Sequence, residues 1–440
     1  MAIPDSLKIT YIGGGSRFVV VLLHGLAGEA EKLKNAGWPI ELELMDISPE
    51  RARPMARYAE ITAAETGLDL KVKITDNRDE ALRDSDWILF SVGPWKEVRE
   101  IREQLGGIIG HPHGESTPMA AIEAASLWPY MRKLAQDIHA LASTKAIFST
   151  LVNPTDILSG AFEKAFGIKS IGTCVEVPQL VTWLCHNLKV KYEDINLQHI
   201  GVNHVGWVSK WTVKGHDGTP ILKDKLTEIM SPPDWNPRYE WFTTVFQATG
   251  YLRASQYHNW PHLDSWDKDQ ENRRNLYYQA IQPQGEEFRK GQLEKALAEN
   301  RMIREIMPPQ VHYEHRPYNY MNTRRTLGVI ASGIIGATTE YAPMQIRNGD
   351  SNPDFSPDAW LEVPVFAENG EFKPQYVPPL PDWIFNQISS LTNQRENLTN
   401  WLSELDSQGL VKALFEWPGQ IPVKSLLDLS RKLPKIQQFQ

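Results

Sequence analysis

The chain has 440 residues, of which 41% are apolar and 23% are charged, and its formal net charge is −8. This balance is typical of a folded, soluble protein, and the length predicts two domains because a single core rarely grows so large. The acidic charge excludes nucleic-acid backbone binding as the main role, since that binding depends on clustered Lys and Arg. We therefore expect a small-molecule partner and no nucleic acid.

The N-terminus and the number of cysteines indicate the cellular compartment of the protein. Residues 1–10 lack the basic start and long apolar run of a signal peptide, and the sequence has no uninterrupted apolar run long enough for a membrane span. Two cysteines, Cys174 and Cys185, are too few for a disulfide framework and suit a reducing environment. We expect a cytoplasmic protein without a membrane partner.

The first 150 residues alternate strand and helix patterns. The strand pattern Lys8–Ile12 runs directly into Gly13-Gly14-Gly15-Ser16, and the apolar run Phe18–Leu26 predicts a buried helix. Further elements are predicted as strands at 41–45, 70–74, 87–92 and 146–152 and as a helix at 48–66, which opens on Ser-Pro-Glu. Such alternation is typical of a parallel sheet with right-handed crossovers. We predict an α/β fold with an N-terminal Rossmann-like, doubly wound parallel sheet in residues 1–200.

The second half is less regular and rich in aromatic residues. We predict that residues 201–440 form a C-terminal mixed α+β domain for substrate binding and oligomerisation. Helices are predicted at 287–306, 324–335 and 383–401. The boundary near residue 200 is approximate, because no low-complexity linker separates the two halves.

Glycines between a first strand and a first helix have a physical use. Without a Cβ, they let a pyrophosphate approach the amides at the helix N-terminus. The run Gly13–Ser16 occupies this place, and Asp46 ends the second strand, where a ribose hydroxyl would be held. Phe18 stands where the third glycine of the usual fingerprint would be. A tight structural turn and a solvated strand end therefore remain alternatives.

Cys174 is followed thirty residues later by His204, which lies among small residues in an apolar run. A thiolate and an imidazole together suit a divalent metal and leave coordination positions open for a substrate. Spacing alone does not decide, because a lone buried Cys is commonly an inert apolar filler and a lone His a core residue. Both interpretations stay open on the residues alone.

Short motifs then occur in a specific order and spacing. They are Ile12-Gly-Gly-Gly-Ser16, Leu44-Met-Asp46, Ser91-Val-Gly-Pro94 with Arg99, Gly114-Glu-Ser116, Val152-Asn-Pro154, Cys174, Asn203-His204, Ile346-Arg-Asn-Gly349 and Trp360-Leu-Glu-Val-Pro364. This set resembles the NAD-dependent glycoside hydrolases of family 4 nearly end to end. It is more similar to the branch of α-galactosidases, α-glucuronidases and α-galacturonidases than to the phospho-glycosidases.

The resemblance implies a chemistry outside the usual two-carboxylate scheme of glycosidases. In this family, bound NAD+ takes a hydride from sugar C3, a base removes the acidified C2 proton, and the C1 leaving group is eliminated. Water then adds at C1 and the hydride returns. A divalent metal, expected to be Mn2+, stabilises charge on the C2 and C3 oxygens. The implied cofactors are NAD and the metal, and the implied partner is a glycoside.

The same resemblance implies roles for single residues. Cys174 and His204 become metal ligands, and Gly13–Ser16 with Asp46 become cofactor-binding residues. Asn153 is implied to contact both the nicotinamide and the sugar hydroxyls, although a residue before proline is by itself more simply a turn residue. Further substrate contacts are implied for Asn203, His258, Arg99 and Glu115. For Arg99 and Glu115, a surface salt bridge and a solvated loop carboxylate are the alternatives.

The chain departs from the family pattern at two positions. Val175 replaces the polar residue that follows the metal cysteine in many relatives, so that catalytic role is absent or has moved to Glu176. Arg102 replaces an Asp and adds positive charge. Glu176 matches the uronidase-like branch, although a carboxylate repels a uronate unless a cation intervenes. We predict an α-linked uronide, a galacturonide or glucuronide, as the substrate.

The resemblance also implies that the catalytic base is a Tyr or Asp in the segment after the metal histidine, which here is the aromatic segment 249–264. Tyr257 is the first candidate, with Tyr251 and Asp264 behind it, because a nearby cation can lower the pKa of a phenol toward working pH. His258 and Arg253 are candidate substrate contacts. Simple aromatic packing is the alternative for this segment.

Other functions stay open at the level of sequence. Within the family, the alternative is an α-galactosidase or α-glucosidase. A lactate- or malate-like dehydrogenase would share the glycine turn and the Asn-Pro strand end but would lack the cysteine and histidine pair. A catalytically silent nucleotide-binding relative is compatible with the departures. Because family members are commonly dimers or tetramers, the resemblance also implies a homo-oligomer.

Overall fold

The computed structural model describes residues 6–93, 100, 105, 118–229, 237–254, 287, 290–304, 323–338, 340–368, 370–416 and 422–437. Within these ranges, no helix is both long and apolar enough to cross a membrane.

One sheet of twelve strands organises the described part of the chain. The strands are β1 (Leu7–Ile12), β2 (Ile40–Met45), β3 (Leu70–Thr75), β4 (Trp87–Phe90), β5 (Ile147–Thr150), β6 (Ser170–Gly172), β7 (Ile195–Val202), β8 (Val205–Val213), β9 (His216–Asp217), β10 (Glu340–Arg347), β11 (Trp360–Glu368) and β12 (Glu371–Pro374). Their spatial order is β3-β2-β1-β4-β5-β6-β10-β11-β7-β8-β9, and β12 pairs with β11.

The strands β1 to β6 pair in parallel. All five strands predicted from the sequence are present, with ends that differ by at most two residues. Every residue of β4 and of β5 is buried, as expected for parallel strands that helices cover on both faces. The predicted fold class, a Rossmann-like parallel sheet with a mixed C-terminal part, is confirmed.

The sheet continues from the parallel half into an antiparallel half. Strand β10 pairs with β6 through Gln345 and Gly172, and β11 pairs with β7 through Glu362 and Gly201. The hairpin β7–β8 then extends the sheet. Residues from both halves of the chain therefore lie on adjacent strands, and the domain division near residue 200 stays a prediction.

The helices connect these strands and cover them. They are α1 (Phe18–Gly28), α2 (Ala30–Ala36), α3 (Pro49–Thr66), α4 (Arg78–Leu82), α5 (Met119–Leu141), α6 (Thr155–Phe166), α7 (Glu176–Leu188), α8 (Gly218–Ile229), α9 (Pro237–Thr249), α10 (Arg324–Ile334), α11 (Asp382–Glu404), α12 (Ser407–Phe415) and α13 (Val423–Ile436). The predicted helices at 48–66, 324–335 and 383–401 correspond to α3, α10 and α11.

One predicted helix is too long. Residues 290–299 are helical, but residues 301–304 are not. Asn300 has a φ of 52°, a left-handed conformation that ends helices and that Asn tolerates better than most residues. The predicted end at residue 306 is therefore wrong.

Helices α1 and α10 cross at two glycines. A Cβ on Gly25 would lie 2.5 Å from the carbonyl oxygen of Arg324, and a Cβ on Gly328 would lie 2.6 Å from the carbonyl oxygen of Gly25. Both distances are far inside van der Waals contact, so the two backbones approach this closely only because neither position carries a side chain. The crossing joins the helix that follows the glycine turn to the C-terminal half of the chain.

Candidate active site

The C-terminal ends of the parallel strands carry the described site residues. Strand β1 leads into Gly13–Ser16, β2 into Asp46, β5 into Asn153 and β6 into Cys174. Parallel strands of one sheet end at the same edge, where open α/β sheets bind their ligands. The fold therefore gathers along one edge residues that are far apart in the sequence.

The run Gly13–Ser16 turns the chain sharply between β1 and α1. The N–H groups of Gly13 and Gly14 donate to the carbonyl oxygen of Met45 at 2.9 and 2.8 Å. Gly13 has a φ of 95°, and a Cβ there would lie 2.4 Å from the carbonyl oxygen of Ser91. The glycine is thus required by the protein's own packing, and the tight turn is compatible with a pyrophosphate at the start of α1.

Asp46 is held by the backbone and is not a solvated strand end. Its side chain is buried, with Oδ2 accepting the N–H of Gly15 at 2.8 Å and Oδ1 accepting the N–H of Ser48 at 3.0 Å. A carboxylate accepts about four hydrogen bonds, so these two leave capacity for the hydroxyls of a ribose. The residue fits the predicted cofactor contact.

Cys174 and His204 lie side by side. Cys174 follows β6, and His204 occupies the tight turn between β7 and β8, where Val202 pairs with Val205. The two side chains are buried and share a hydrogen bond. Burial raises the pKa of the Cys174 thiol to about 12, against the opposing effect of His204.

Asn153 and Asn203 complete the group around His204. The Nδ2 atom of Asn153 lies 3.3 Å from Nε2 of His204, and its Oδ1 accepts a hydrogen bond from Nδ2 of Asn203 at 3.1 Å. An amide nitrogen can only donate, so Nε2 of His204 is the acceptor in this contact. Asn153 therefore orients the imidazole, and the peptide bond to Pro154 is cis.

Polar side chains behind this group were not predicted from the sequence. Gln345 donates from Nε2 to Oδ1 of Asn203 at 2.7 Å and accepts from the hydroxyl of Thr155. Asp156 accepts the backbone N–H of Asn203 at 2.9 Å through Oδ2, and Nε of Arg395 lies 3.2 Å from the same oxygen. No local pattern marks these residues, because Asp156 and Arg395 are separated by more than half of the chain.

Glu362 is a buried carboxyl in the same region. Burial raises its pKa to about 8, with Glu176 and Asp156 adding to the shift and His204 opposing it. Its side chain also shares a hydrogen bond with Gln345. The motif Trp360-Leu-Glu-Val-Pro364 contains this residue, so the sequence carried a signal to which we had attached no role.

Glu176 begins α7, two residues after Cys174, and its carboxylate is buried. The charge of Glu176 acts on Arg253, whose guanidinium is buried and lies over the ring of Trp207 at 5.5 Å from its centroid. Burial lowers the pKa of Arg253 well below its ordinary value, and Glu176 opposes that shift. An acidic and a basic group therefore accompany the cysteine and histidine pair.

The donors fit a catalytic metal better than a structural one. Within the described ranges, no group of three or more His, Cys, Asp and Glu side chains converges as a metal cage. Cys174 and His204 supply sulfur and nitrogen ligands that suit a divalent transition metal. A site with two protein ligands leaves coordination positions for substrate oxygens, whereas a structural site is closed by four.

Several predicted residues lie outside the described ranges. They are Arg99, Arg102, Glu115, Tyr257, His258 and Asp264. The proposed base and most of the proposed substrate contacts stay predictions. Tyr251, the second candidate for the base, is half-buried and has its backbone N–H bonded to the hydroxyl of Thr249 at 3.1 Å.

Two family models match the chain. Residues 8–189 match the model described as family 4 glycosyl hydrolase, and residues 199–414 match the model of its C-terminal domain. The chain belongs to glycoside hydrolase family 4. The family resemblance inferred from the motifs is confirmed.

The family 4 chain is also similar to individual proteins. It is 26% identical to an α-galacturonidase of Thermoanaerobacter italicus over 263 residues, which cover 57% of this chain and 55% of the relative. It is 25% identical to a 6-phospho-β-glucosidase of Thermotoga maritima over 260 residues, which cover 56% and 59%. The chain thus spans somewhat over half the length of the curated relatives it matches.

A solved structure shares the fold of this chain over nearly its whole length. It is a 6-phospho-α-glucosidase from gut microorganisms in complex with NAD and glucose-6-phosphate. The two chains superpose with a TM-score of 0.73 at 20% identity, and the match covers 98% of each.

Proposed function

We propose that this family 4 chain is a glycosidase that uses NAD and a divalent metal, expected to be Mn2+, to hydrolyse a glycosidic bond through transient oxidation at sugar C3. The observation that carries the proposal is the buried pair of Cys174 and His204 beside Asn153. The pair lies at the strand edge that also bears the glycine turn. A dehydrogenase of the lactate or malate type has no use for such a pair.

Asp46 supports NAD rather than NADP as the cofactor. A carboxylate at the end of the second strand accepts hydrogen bonds from ribose hydroxyls and repels a 2′-phosphate. When bound, NAD supplies a hydride acceptor that is regenerated in each turnover, and the metal supplies a Lewis acid for the sugar oxygens.

The chain's own residues then have defined tasks. Cys174 and His204 would hold the metal, and both side chains are buried. Asn153, oriented by Asn203, presents an amide to the sugar hydroxyls and the nicotinamide. Tyr257, with Asp264 behind it, is proposed as the base that removes the C2 proton, and Glu176 as a further catalytic carboxylate.

We assign an α-linked uronide, a galacturonide or glucuronide, as the substrate. The objection from sequence was that Glu176 repels a uronate. Arg253 is the arginine that meets this objection, because the charge of Glu176 acts on its buried guanidinium and raises the pKa of Arg253 against the lowering by burial. The α-galacturonidase relative supports this assignment. An α-galactoside or α-glucoside is the second candidate.

A panel of p-nitrophenyl glycosides that includes α-galacturonide and α-glucuronide tests the proposal, with and without NAD+ and Mn2+ and in the presence of a thiol reductant. We expect p-nitrophenol release that requires both additions and produces no net NADH. Cys174→Ser should abolish release, whereas the matched control Cys185→Ser should keep it. Stoichiometric formation of NADH would falsify the glycosidase and favour a dehydrogenase.

We also propose a cytoplasmic location and a homo-oligomer, a dimer or tetramer, as the resemblance implies. Light scattering during gel filtration measures the mass in solution. A mass of 50.1 kDa, that of one chain, would contradict the oligomer.

A further inference from the structure

A buried ion pair lies directly behind the turn that presents His204. Nε of Arg395, on α11, is 3.2 Å from Oδ2 of Asp156, and the two side chains are 2% and 0% exposed. The same oxygen accepts the backbone N–H of Asn203 at 2.9 Å, while Oδ1 accepts the N–H of Ile157 at 2.8 Å. The carboxylate of Asp156 therefore links α11 to the turn.

The turn itself needs such a restraint. His204 has a φ of 64°, a left-handed conformation that residues other than Gly seldom adopt, although His adopts it more often than most. Backbone in sparsely populated conformations persists only where the surrounding structure holds it. The N–H of Asn203 belongs to the peptide between Val202 and Asn203, so its bond to Asp156 holds the start of the turn, one residue before His204.

We propose that Arg395 is a positioning residue for the metal site: it anchors the Asp156 carboxylate, which holds the Asn203–His204 turn in the geometry that places His204 against Cys174. The identity of the bound ion rests on the proposed function, but the restraint on the turn does not. In this proposal Arg395 acts through Asp156, whose Oδ2 lies 3.2 Å from its Nε atom, and is not a catalytic residue.

Loss of Arg395 is expected to disturb the turn because both charges of the ion pair are buried. Without its cation, Asp156 is a buried carboxylate with no counter-charge, a state that proteins relieve by moving the side chain or admitting water. Either response loosens the bond to Asn203. Loss of partners that orient a metal ligand typically weakens metal binding about 10- to 100-fold.

The test compares three variants of the full chain saturated with NAD+. Arg395→Met removes the charge with similar volume, and Arg395→Lys keeps a cation within reach of Oδ2. The matched control is Gln394→Leu, the neighbouring buried residue on α11, whose amide donates to the carbonyl of Ala413 at 3.2 Å and not to Asp156. Mn2+ affinity is measured by calorimetry, and amide hydrogen exchange is measured on peptides that cover residues 199–206.

In Arg395→Met, we expect Mn2+ to bind about 10- to 100-fold more weakly and the hairpin peptide to exchange faster, with NAD+ affinity unchanged. Arg395→Lys should recover most of the Mn2+ affinity, and Gln394→Leu should leave both readouts at the wild-type level. An unchanged Mn2+ affinity in Arg395→Met, or an equal loss in Gln394→Leu, overturns the proposal.

Two other outcomes, a variant that does not fold and a wild-type chain that binds no Mn2+, can be told apart from failure of the proposal. If Arg395→Met does not fold, the double variant Asp156→Leu/Arg395→Met replaces it, because it has neither the buried charge nor an acceptor for the N–H of Asn203, and wild-type Mn2+ affinity in that protein overturns the proposal. If the wild-type chain binds no Mn2+, the proposed metal site fails instead. Hydrogen exchange at the hairpin then decides the positioning role alone.

Discussion

His199 is a buried histidine whose ring forms no hydrogen bond with any residue that the structure describes. It lies on β7 opposite Val208, and in the described structure both ring nitrogens lack a partner. Burial lowers its pKa to about 3, below the ordinary 6.5. The unfolded chain therefore binds a proton at higher pH than the folded chain does, so this residue makes the fold less stable as pH falls from 6.5 toward 3.

We predict that His199→Leu stabilises the protein by about 1–2 kcal/mol at pH 7, because an unsatisfied buried polar group costs that much. The variant should also lose less stability between pH 7 and pH 5. Urea unfolding at both pH values measures these effects. His24→Leu is the control: Nε2 of His24 bonds to the hydroxyl of Tyr58 at 2.7 Å, so its loss should destabilise. Equal effects of the two substitutions would contradict the explanation.

Cys174 makes metal binding dependent on pH. Its thiol is protonated in the metal-free protein, because burial raises its pKa to about 12, whereas a metal binds the thiolate. We predict that Mn2+ binding releases about one proton and that affinity rises with pH, by up to about tenfold per pH unit. Calorimetry in buffers of different ionisation enthalpy counts the protons. Affinity that does not change between pH 6 and pH 8 would argue against a thiolate ligand.

At the scale of elements, a substitution at the crossing of α1 and α10 tests whether the close approach of the two helices requires glycine. Gly25→Ala places a methyl group 2.5 Å from a backbone oxygen, which the helices relieve only by moving apart. We expect a loss of about 1–3 kcal/mol in the free energy of unfolding, the usual cost of overpacking.

Gly28→Ala is the matched control on the same helix, because a Cβ there has no neighbour within 4 Å. Alanine favours helix over glycine by roughly 0.5–1 kcal/mol, so this substitution should be neutral or stabilising. Chemical denaturation of the two variants measures the difference. Similar losses at Gly25 and Gly28 would show that the close crossing is not what constrains position 25.

The elements of the parallel half could be predicted because their signals are local. Apolar strands such as Ile40–Met45 alternate with helices that have recognisable starts, as Pro49 after Ser48 shows. The antiparallel strands β7 to β12 were not predicted from the sequence, since their pairing depends on contacts distant in the chain. The end of the helix near Asn300 was missed because the residues before it continue the helical pattern and do not indicate the left-handed conformation of Asn300.

For the whole molecule, the continuous sheet predicts that the two halves unfold together. Residues 1–200 alone would expose the edge of β6 that pairs with β10 and the face of α1 that packs on α10. We predict one cooperative transition for the full chain by calorimetry and no cooperative unfolding for an isolated fragment of residues 1–200. Two well-separated transitions, or a stably folded fragment, would contradict this prediction.

The site was predictable to the extent that its chemistry is carried by motifs. The glycine turn, Asp46, Asn153, Cys174 and His204 were named in advance, and the structure brings Asn153, Cys174 and His204 together. The groups that orient them could not be named, because Asp156, Gln345 and Arg395 are ordinary polar residues until the fold buries them beside Asn203. Their roles come from distances that no spacing in the sequence encodes.

The wide separation of Asn203 from Gln345 and Arg395 also has a consequence for synthesis. During synthesis the N-terminal part of the chain leaves the ribosome first, and domains fold as they emerge. The glycine turn and Cys174 therefore leave the ribosome long before Gln345 and Arg395, which hold the turn that carries His204. During that interval the nascent protein carries a thiol without its finished surroundings, so expression under reducing conditions with low free copper and zinc should give the highest yield of correctly assembled sites.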